Sequence, residues 1–225
     1  MYKVKILMVG PCQSGKTMIS NFVSDATESV GGEYRPTAGA RILEFEMPSI
    51  NVNNKVCEDN SEHLIHNNIH QNVKAEVELW DVSGSNQYES CWSAIQRDAH
   101  GVIFVFNPES AAQAKNLDSF HQSFVQGRNV PDTACVVFAH FLSSSQVNSY
   151  FVDDRFQFNQ KHFVPCQERR GVKLSSKFSR VAQLEINIED EGARLRADFS
   201  TFIASVISGM SKNRDQEEIS ILNSR

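Results

Sequence analysis

Residues 10–17 read Gly10-Pro11-Cys12-Gln13-Ser14-Gly15-Lys16-Thr17, and this octapeptide constrains the fold more than any other stretch. An apolar run, Lys5-Ile6-Leu7-Met8-Val9, precedes it and reads as a buried strand. Met18, Ile19, Phe22 and Val23 follow with the spacing of one helical face. A glycine-bounded loop between strand and helix turns successive backbone N–H groups inward as an anion nest, and the helix N-terminus adds its dipole. The run from Gly10 through Gln13, Ser14, Gly15 and on to Met18 therefore reads as a polyphosphate cradle. Lys16 is placed to reach the β- and γ-phosphates as a point charge, and the Thr17 hydroxyl to coordinate Mg²⁺. The competing reading is a chance match on an ordinary strand–turn–helix. The flanking strand and helix argue against it.

The chain has 225 residues, which suits one domain with an insertion, and its 40% hydrophobic content is ordinary for a globular protein. A net charge of −5 argues against the basic face that nucleic-acid binding needs. No apolar run approaches the length of a membrane span. The N-terminal stretch turns polar too soon for a signal peptide. Tyr2 excludes N-myristoylation and the last residues, Leu222-Asn223-Ser224-Arg225, include no cysteine to prenylate, so no lipid anchor is expected. Cys12, Cys57, Cys91, Cys135 and Cys166 show no metal or redox spacing and read as free thiols in a reducing compartment.

Arg41 to Glu46 alternates as a half-exposed strand, and Val77 to Trp80 does likewise, ending at Asp81. Gly101 to Phe106 and Ala134 to Ala139 are continuous apolar runs, as central parallel strands require. Ala111 to Val125 suits a helix. Glu189 to Met210 suits a long amphipathic helix through Leu195, Phe199, Phe202, Ile203, Val206 and Ile207. The alternation predicts an α/β fold with a doubly wound, mostly parallel six-stranded sheet and helices on both faces. The domain is expected over residues 1–210, with a polar tail at 211–225. Residues 48–74 are polar and poor in core-forming side chains, which suits an extended hairpin or a mobile insertion. Residues 142–171 read as a long irregular stretch with room for a short helix.

Trp80-Asp81-Val82-Ser83-Gly84 closes a strand downstream of the phosphate loop. An acidic residue there holds Mg²⁺, and Gly84 can offer its N–H to a γ-phosphate because no side chain obstructs it. Together these motifs resemble the Ras-like small GTPase superfamily, Rab branch, which implies a P-loop NTPase fold binding GTP or GDP with Mg²⁺. Tyr34-Arg35-Pro36-Thr37 resembles the first switch of Rab proteins, and by that resemblance Thr37 closes on the metal and the γ-phosphate. Leu174-Ser175-Ser176-Lys177 resembles the base-contacting loop, which assigns Ser175, Ser176 and Lys177 to the nucleotide. Arg41 to Glu46, Glu89-Ser90-Cys91-Trp92, Asp98 to Val102 and Arg214 to Ile221 narrow the likeness to the atypical Rab-like family of the intraflagellar transport B complex. That family implies a monomeric subunit of a hetero-complex, docked on coiled-coil core subunits. It implies a place in the cytoplasm and in the cilium or flagellum, including its base.

Two departures shape the functional reading. Ser85 stands where the superfamily carries the glutamine that orients the attacking water, and a serine is too short for that role. Gln87 is a weak substitute on a different path, so slow intrinsic hydrolysis is predicted. After Ala139 the chain reads His140-Phe141-Leu142-Ser143, without the Asn, Lys and Asp that read guanine. Base preference is therefore open between guanine and adenine, with Asp153 and Asp154 as unplaced substitutes. The readings left open are a nucleotide-dependent adaptor, a slow partner-activated GTPase or NTPase, and a nucleotide-insensitive structural pseudo-GTPase. An ATP-dependent kinase is a distant fourth, lacking an Arg-rich lid.

Weaker features take plainer readings. His63, His66 and His70 share helical spacing for a metal, with Asp59 and Glu62 near, but a solvated insertion is favoured. Cys12 sits where a helix N-terminus lowers thiol pKa, yet passive packing is the simpler role. Phe120 and Phe124 read as core. Tyr88 and Trp92 read as packing or as a partner surface.

Overall fold

The computed structural model describes residues 1–26, 36–56, 67–126, 130–141 and 174–223. The expectations attached to Tyr34, Arg35, Cys57, Asp59, Glu62, His63, His66, Cys166 and residues 142–171, with Asp153 and Asp154, fall outside them. The chain begins with β1 (Tyr2–Val9), α1 (Lys16–Val23), β2 (Ala40–Val56) and β3 (Asn67–Val82). One turn of 3-10 helix (Asn86–Tyr88) opens α2 (Glu89–Ile95). Then come β4 (Gly101–Phe106), α3 (Ala111–Phe124), β5 (Cys135–His140), β6 (Ala182–Ile186) and α4 (Ile188–Asn223). The strands lie in the order β2-β3-β1-β4-β5-β6. β2 runs antiparallel to β3, and the other four pairings are parallel. This is the six-stranded, mostly parallel sheet expected from the alternation of strand and helix.

Every residue of β4 and β5 is buried, because helices cover both faces of the sheet. Side chains alternate across a strand. Phe104 accordingly packs on His121 of α3, ring centroids 5.9 Å apart, while Gly101 on the opposite face meets Phe202 and Val206 of α4. Any side chain at Gly101 would strike those two residues. On the α3 face Trp92 lies 5.1 Å from both Phe120 and Phe124, which puts all three in the core. Trp92 is thus packing rather than partner surface. On the other face Leu195, Phe199, Phe202, Ile203, Val206 and Ile207 of α4 are all buried, as their spacing predicts.

Residues 48–74 supply strand as well as insertion. β2 and β3 stay paired out to Val56 opposite Asn67, so the described part is an extended hairpin. The stretch is poor in core-forming residues, but Ile50 and Val52 are buried and join the core. The register shifts between Met47 and Ile50, so that Pro48 and Ser49 lie in a bulge. Proline has no N–H for the ladder, and an edge strand such as β2 accepts it at a bulge. His70 stands in strand backbone opposite Asn53, so helical spacing does not apply to it.

α4 also runs further than its apolar periodicity. The backbone leaves helical geometry at Glu191 (φ −127°, ψ 33°) and then continues to Asn223, through most of the expected tail. Lys, Arg, Gln and Glu are good helix formers, and extending a nucleated helix costs little. Gly192 faces the Phe22 ring of α1, and Arg196 lies 4.4 Å above that ring, which seats the helix start.

Asp198 on this helix is a stability lever. Burial pushes its carboxyl up to about 6, only partly opposed by Arg194 at 3.8 Å. A folded-state pKa above the unfolded value means the ionised form is disfavoured by folding. The cost is absent below about pH 4 and complete above about pH 6. Asp198→Asn is expected to gain on the order of 1 kcal/mol at pH 7, after allowance for solvent screening, and nothing at pH 4. Thermal melts across that range check it.

Candidate nucleotide-binding site

The parallel strands β1, β3, β4, β5 and β6 share one C-terminal edge, where ligands of open α/β sheets bind. The loop from Gly10 to Gly15 leaves β1 at that edge. Gln13 (φ 59°) and Gly15 (φ 91°) adopt the left-handed backbone that folds successive amides into a concavity. Gly15 is obligatory for a second reason: a Cβ there would run into the His140 imidazole. Gly84 is packed against the backbone of Gly10, Pro11 and Cys12, and a Cβ would strike it. Gly84 therefore lies directly against the loop that leaves β1.

Lys16 folds back over its own loop. Its Nζ donates to the carbonyls of Gly10 (2.9 Å) and Pro11 (2.7 Å) and lies 3.4 Å from Ser14 Oγ. Burial lowers its pKa to about 8, although Asp81 opposes the shift. Ser14 is fully buried, and Met18, in the first turn of α1, is exposed.

A second cluster forms beside the lysine. Thr17 Oγ1 donates to Asp81 Oδ2 at 2.7 Å and lies 3.1 Å from Thr37 Oγ1, which is itself 3.5 Å from Asp81 Oδ2. The pairing of Met8 with Asp81 brings the end of β3 beside the start of the loop. Asp81 is fully buried, and its Oδ1 has no hydrogen-bond partner among the described residues. Burial raises its pKa, against the Thr17 hydrogen bond and the charges of Lys16 and Arg41. Two hydroxyls and a carboxylate with an unpartnered oxygen form a hard-oxygen set that suits Mg²⁺. Thr17, Thr37 and Asp81 would hold the cation, which would neutralise the charge developed on a bound polyphosphate.

Several predicted residues are not brought to this edge. Ser175, Ser176 and Lys177 precede β6 instead of following it. Ser175 Oγ donates to Asp118 in the middle of α3 (2.5 Å), and a 3-10 turn covers Ser176–Phe178. Phe178 then packs on Phe104 and His121, and β6 rises to end at Ile186 beside His140. The residues that the sixth strand delivers to the ligand edge are Asn187 and Ile188. Gln87 is exposed on the 3-10 turn that Ser85 opens, and the Ser85 N–H donates to Ser83 Oγ at 3.3 Å. Cys12 is an exposed free thiol, not a packed one.

Two contributors escaped sequence reasoning. His140, read only as a missing asparagine, is 1% exposed, and its Nδ1 lies 3.1 Å from the Ser14 carbonyl. Gln113 of α3 donates from Nε2 to the Cys12 carbonyl at 3.2 Å. The Ser110-x-x-Gln113 spacing was the available signal, since it marks a helix start with a side chain free to reach back.

Fold and site together define a P-loop nucleotide-binding domain of the Ras-like type. The model of the Roc family (Ras of Complex, Roc, domain of DAPkinase) matches residues 5–141. The intraflagellar transport protein 22 homolog of Xenopus tropicalis is 34% identical over 222 residues, spanning 99% of this chain and 100% of the relative. The chain belongs to this family of Ras-like intraflagellar transport proteins. Two solved structures from T. brucei share the fold at 23% identity. The GTP-bound IFT22/74/81 crystal structure superposes with a TM-score of 0.61, covering 95% of this chain and 99% of that one. The GDP-bound IFT22 crystal structure gives a TM-score of 0.56, covering 92% and 98%.

Proposed function

We propose that the chain is a GTP-binding docking subunit of the intraflagellar transport B complex, serving cilium or flagellum assembly. It engages a coiled-coil pair of core subunits, and it works in the cytoplasm and in the cilium, including its base. The observation that carries this reading is the meeting of Thr17, Thr37 and Asp81 within 3.5 Å. Thr37 lies between α1 and β2, so one cation site joins the phosphate loop to a surface segment. Occupancy of the site then sets the conformation that a partner meets. The family match and the T. brucei complex with IFT74/81 support the partner class.

The ligand is GTP or GDP with Mg²⁺, held by Gly10, Gln13 to Met18, Thr37, Asp81 and Gly84. His140-Phe141-Leu142-Ser143 contains no carboxylate, so guanine is read by groups other than an acid in this tetrapeptide. Ser85 and the exposed Gln87 leave the attacking water without a positioned amide, and hydrolysis is slow. Single-turnover assays should give less than about 10⁻⁴ s⁻¹, below the intrinsic rate of a small GTPase that has the glutamine. Capture on an immobilised coiled-coil pair of core subunits tests the role. The protein loaded with a non-hydrolysable GTP analogue should be retained about tenfold better than Thr17→Asn at equal folded concentration. Equal retention of both would contradict nucleotide-dependent docking and favour a nucleotide-insensitive subunit.

A further inference from the structure

The backbone of the phosphate loop is restrained from outside the loop as well as by its own lysine. In a trans peptide the carbonyl and the following N–H point in opposite directions. Fixing a carbonyl away from the cradle therefore aims the next amide into it. Lys16 takes the carbonyls of Gly10 and Pro11. The next restraints come from two distant elements, Gln113 on the Cys12 carbonyl and His140 on the Ser14 carbonyl.

The Gln113 arrangement departs from an ordinary helix start. Ser110 caps α3, its Oγ accepting from the Gln113 N–H at 3.3 Å. In the usual box a glutamine at this position returns to the N–H of the capping residue. Here Gln113 Oε1 accepts from the Asn107 N–H (2.8 Å), and Nε2 reaches the Cys12 carbonyl (3.2 Å). An N–H can only donate and a carbonyl only accept, so the amide orientation is dictated. The same logic places a proton on His140 Nδ1, because the Ser14 carbonyl can only accept. His140 is buried beneath Gly15, so its ring cannot swing away without opening the loop.

We infer that Gln113 and His140 are positioning residues for the phosphate cradle. From α3 and β5 they hold the Cys12 and Ser14 carbonyls outward, so that the amides of Gln13 and Gly15 face the anion. The inference rests on the nucleotide-binding reading above. It makes the end of β5 a support for the loop, in the place where a base-reading motif is absent.

The test is MgGDP affinity of the full chain and four variants, with the melting temperature of each nucleotide-free protein recorded alongside. Gln113→Ala removes the bonds to Asn107 and to the Cys12 carbonyl, His140→Leu removes the bond to the Ser14 carbonyl, and each should weaken Kd about fivefold. Gln113→Glu keeps an acceptor for Asn107 but sets an oxygen against the Cys12 carbonyl, and it should weaken Kd at least as much. His140→Asn should stay within about twofold of the parent. Its Nδ2 occupies the same place on Cγ as the imidazole Nδ1 and can donate to the Ser14 carbonyl. A purely structural role would lower the melting temperatures with no such rescue. Kd within twofold of the parent for Gln113→Ala and Gln113→Glu overturns the glutamine assignment. The same result for His140→Leu, or equal loss in His140→Asn and His140→Leu, overturns the histidine assignment. Failure of the parent itself to bind MgGDP is a different outcome and removes the nucleotide reading instead.

Discussion

Lys16→Met is expected to weaken MgGTP and MgGDP binding at least about a hundredfold while leaving the far-ultraviolet dichroism unchanged, because removing a buried charge from an anion costs about 2–5 kcal/mol. Lys16 is 6% exposed and its ammonium is held by two loop carbonyls, so it is positioned before any ligand arrives. Its depressed pKa adds a pH signature. With a pKa of about 8 in the free protein, a rising share of molecules loses the ammonium above that pH. Phosphate favours the protonated form, so affinity should fall as pH rises through about 8, approaching tenfold per unit beyond it. The Met variant should show no such decline. Calorimetric titrations between pH 7 and pH 9.5 separate the two, and parallel profiles would mean that Lys16 does not meet the phosphates.

Asp81→Asn is the second large effect, and it divides stability from function. The carboxylate is fully buried with one unpartnered oxygen, and burial raises its pKa. Such a group opposes folding when ionised, and the opposition grows as pH rises through the folded-state pKa. A neutral amide removes that penalty, so the metal-free variant should melt at a higher temperature than the parent at pH 7. The same charge is what attracts a divalent cation. Mg²⁺ should tighten nucleotide binding in the parent by about 10–100-fold more than in the variant, with equal affinities in excess chelator. Equal Mg²⁺ dependence would remove Asp81 from the metal site. A lower melting temperature in the metal-free variant would show that its hydrogen bonds to the two threonines outweigh its desolvation.

The local signals in the sequence were strongest where one short segment carries its own chemistry. The Gly10–Thr17 octapeptide names its amides, its cation and its hydroxyl, because a nest is built from consecutive residues. The apolar runs at Gly101–Phe106 and Ala134–Ala139 marked the covered strands for the same reason. Asp81 and Thr37 were legible through their motifs, though their meeting with Thr17 depends on the register of β3 against β1. Ser175 to Lys177 failed because a loop motif has meaning only at the C-terminal end of a strand. Their strand, Ala182–Ile186, comes afterwards and is too short and mixed to announce itself. The end of α4 was missed because the run from Ser211 to Glu218 is polar throughout and offers no apolar periodicity to read. The Ser110-x-x-Gln113 spacing marked a helix start but not its partner, and His140 carried no signal at all, because each acts across more than a hundred residues through a carbonyl that has no identity in the sequence.

The central claim is that the edge of β1 holds a magnesium-bound guanine nucleotide. One calorimetric titration series on the purified, nucleotide-stripped chain tests it, with MgGTP, MgGDP and MgATP as ligands. The account predicts one-to-one binding of MgGTP and MgGDP with Kd of about 1 μM or tighter, about −8 kcal/mol. No heat from either guanine nucleotide up to millimolar concentration would contradict it.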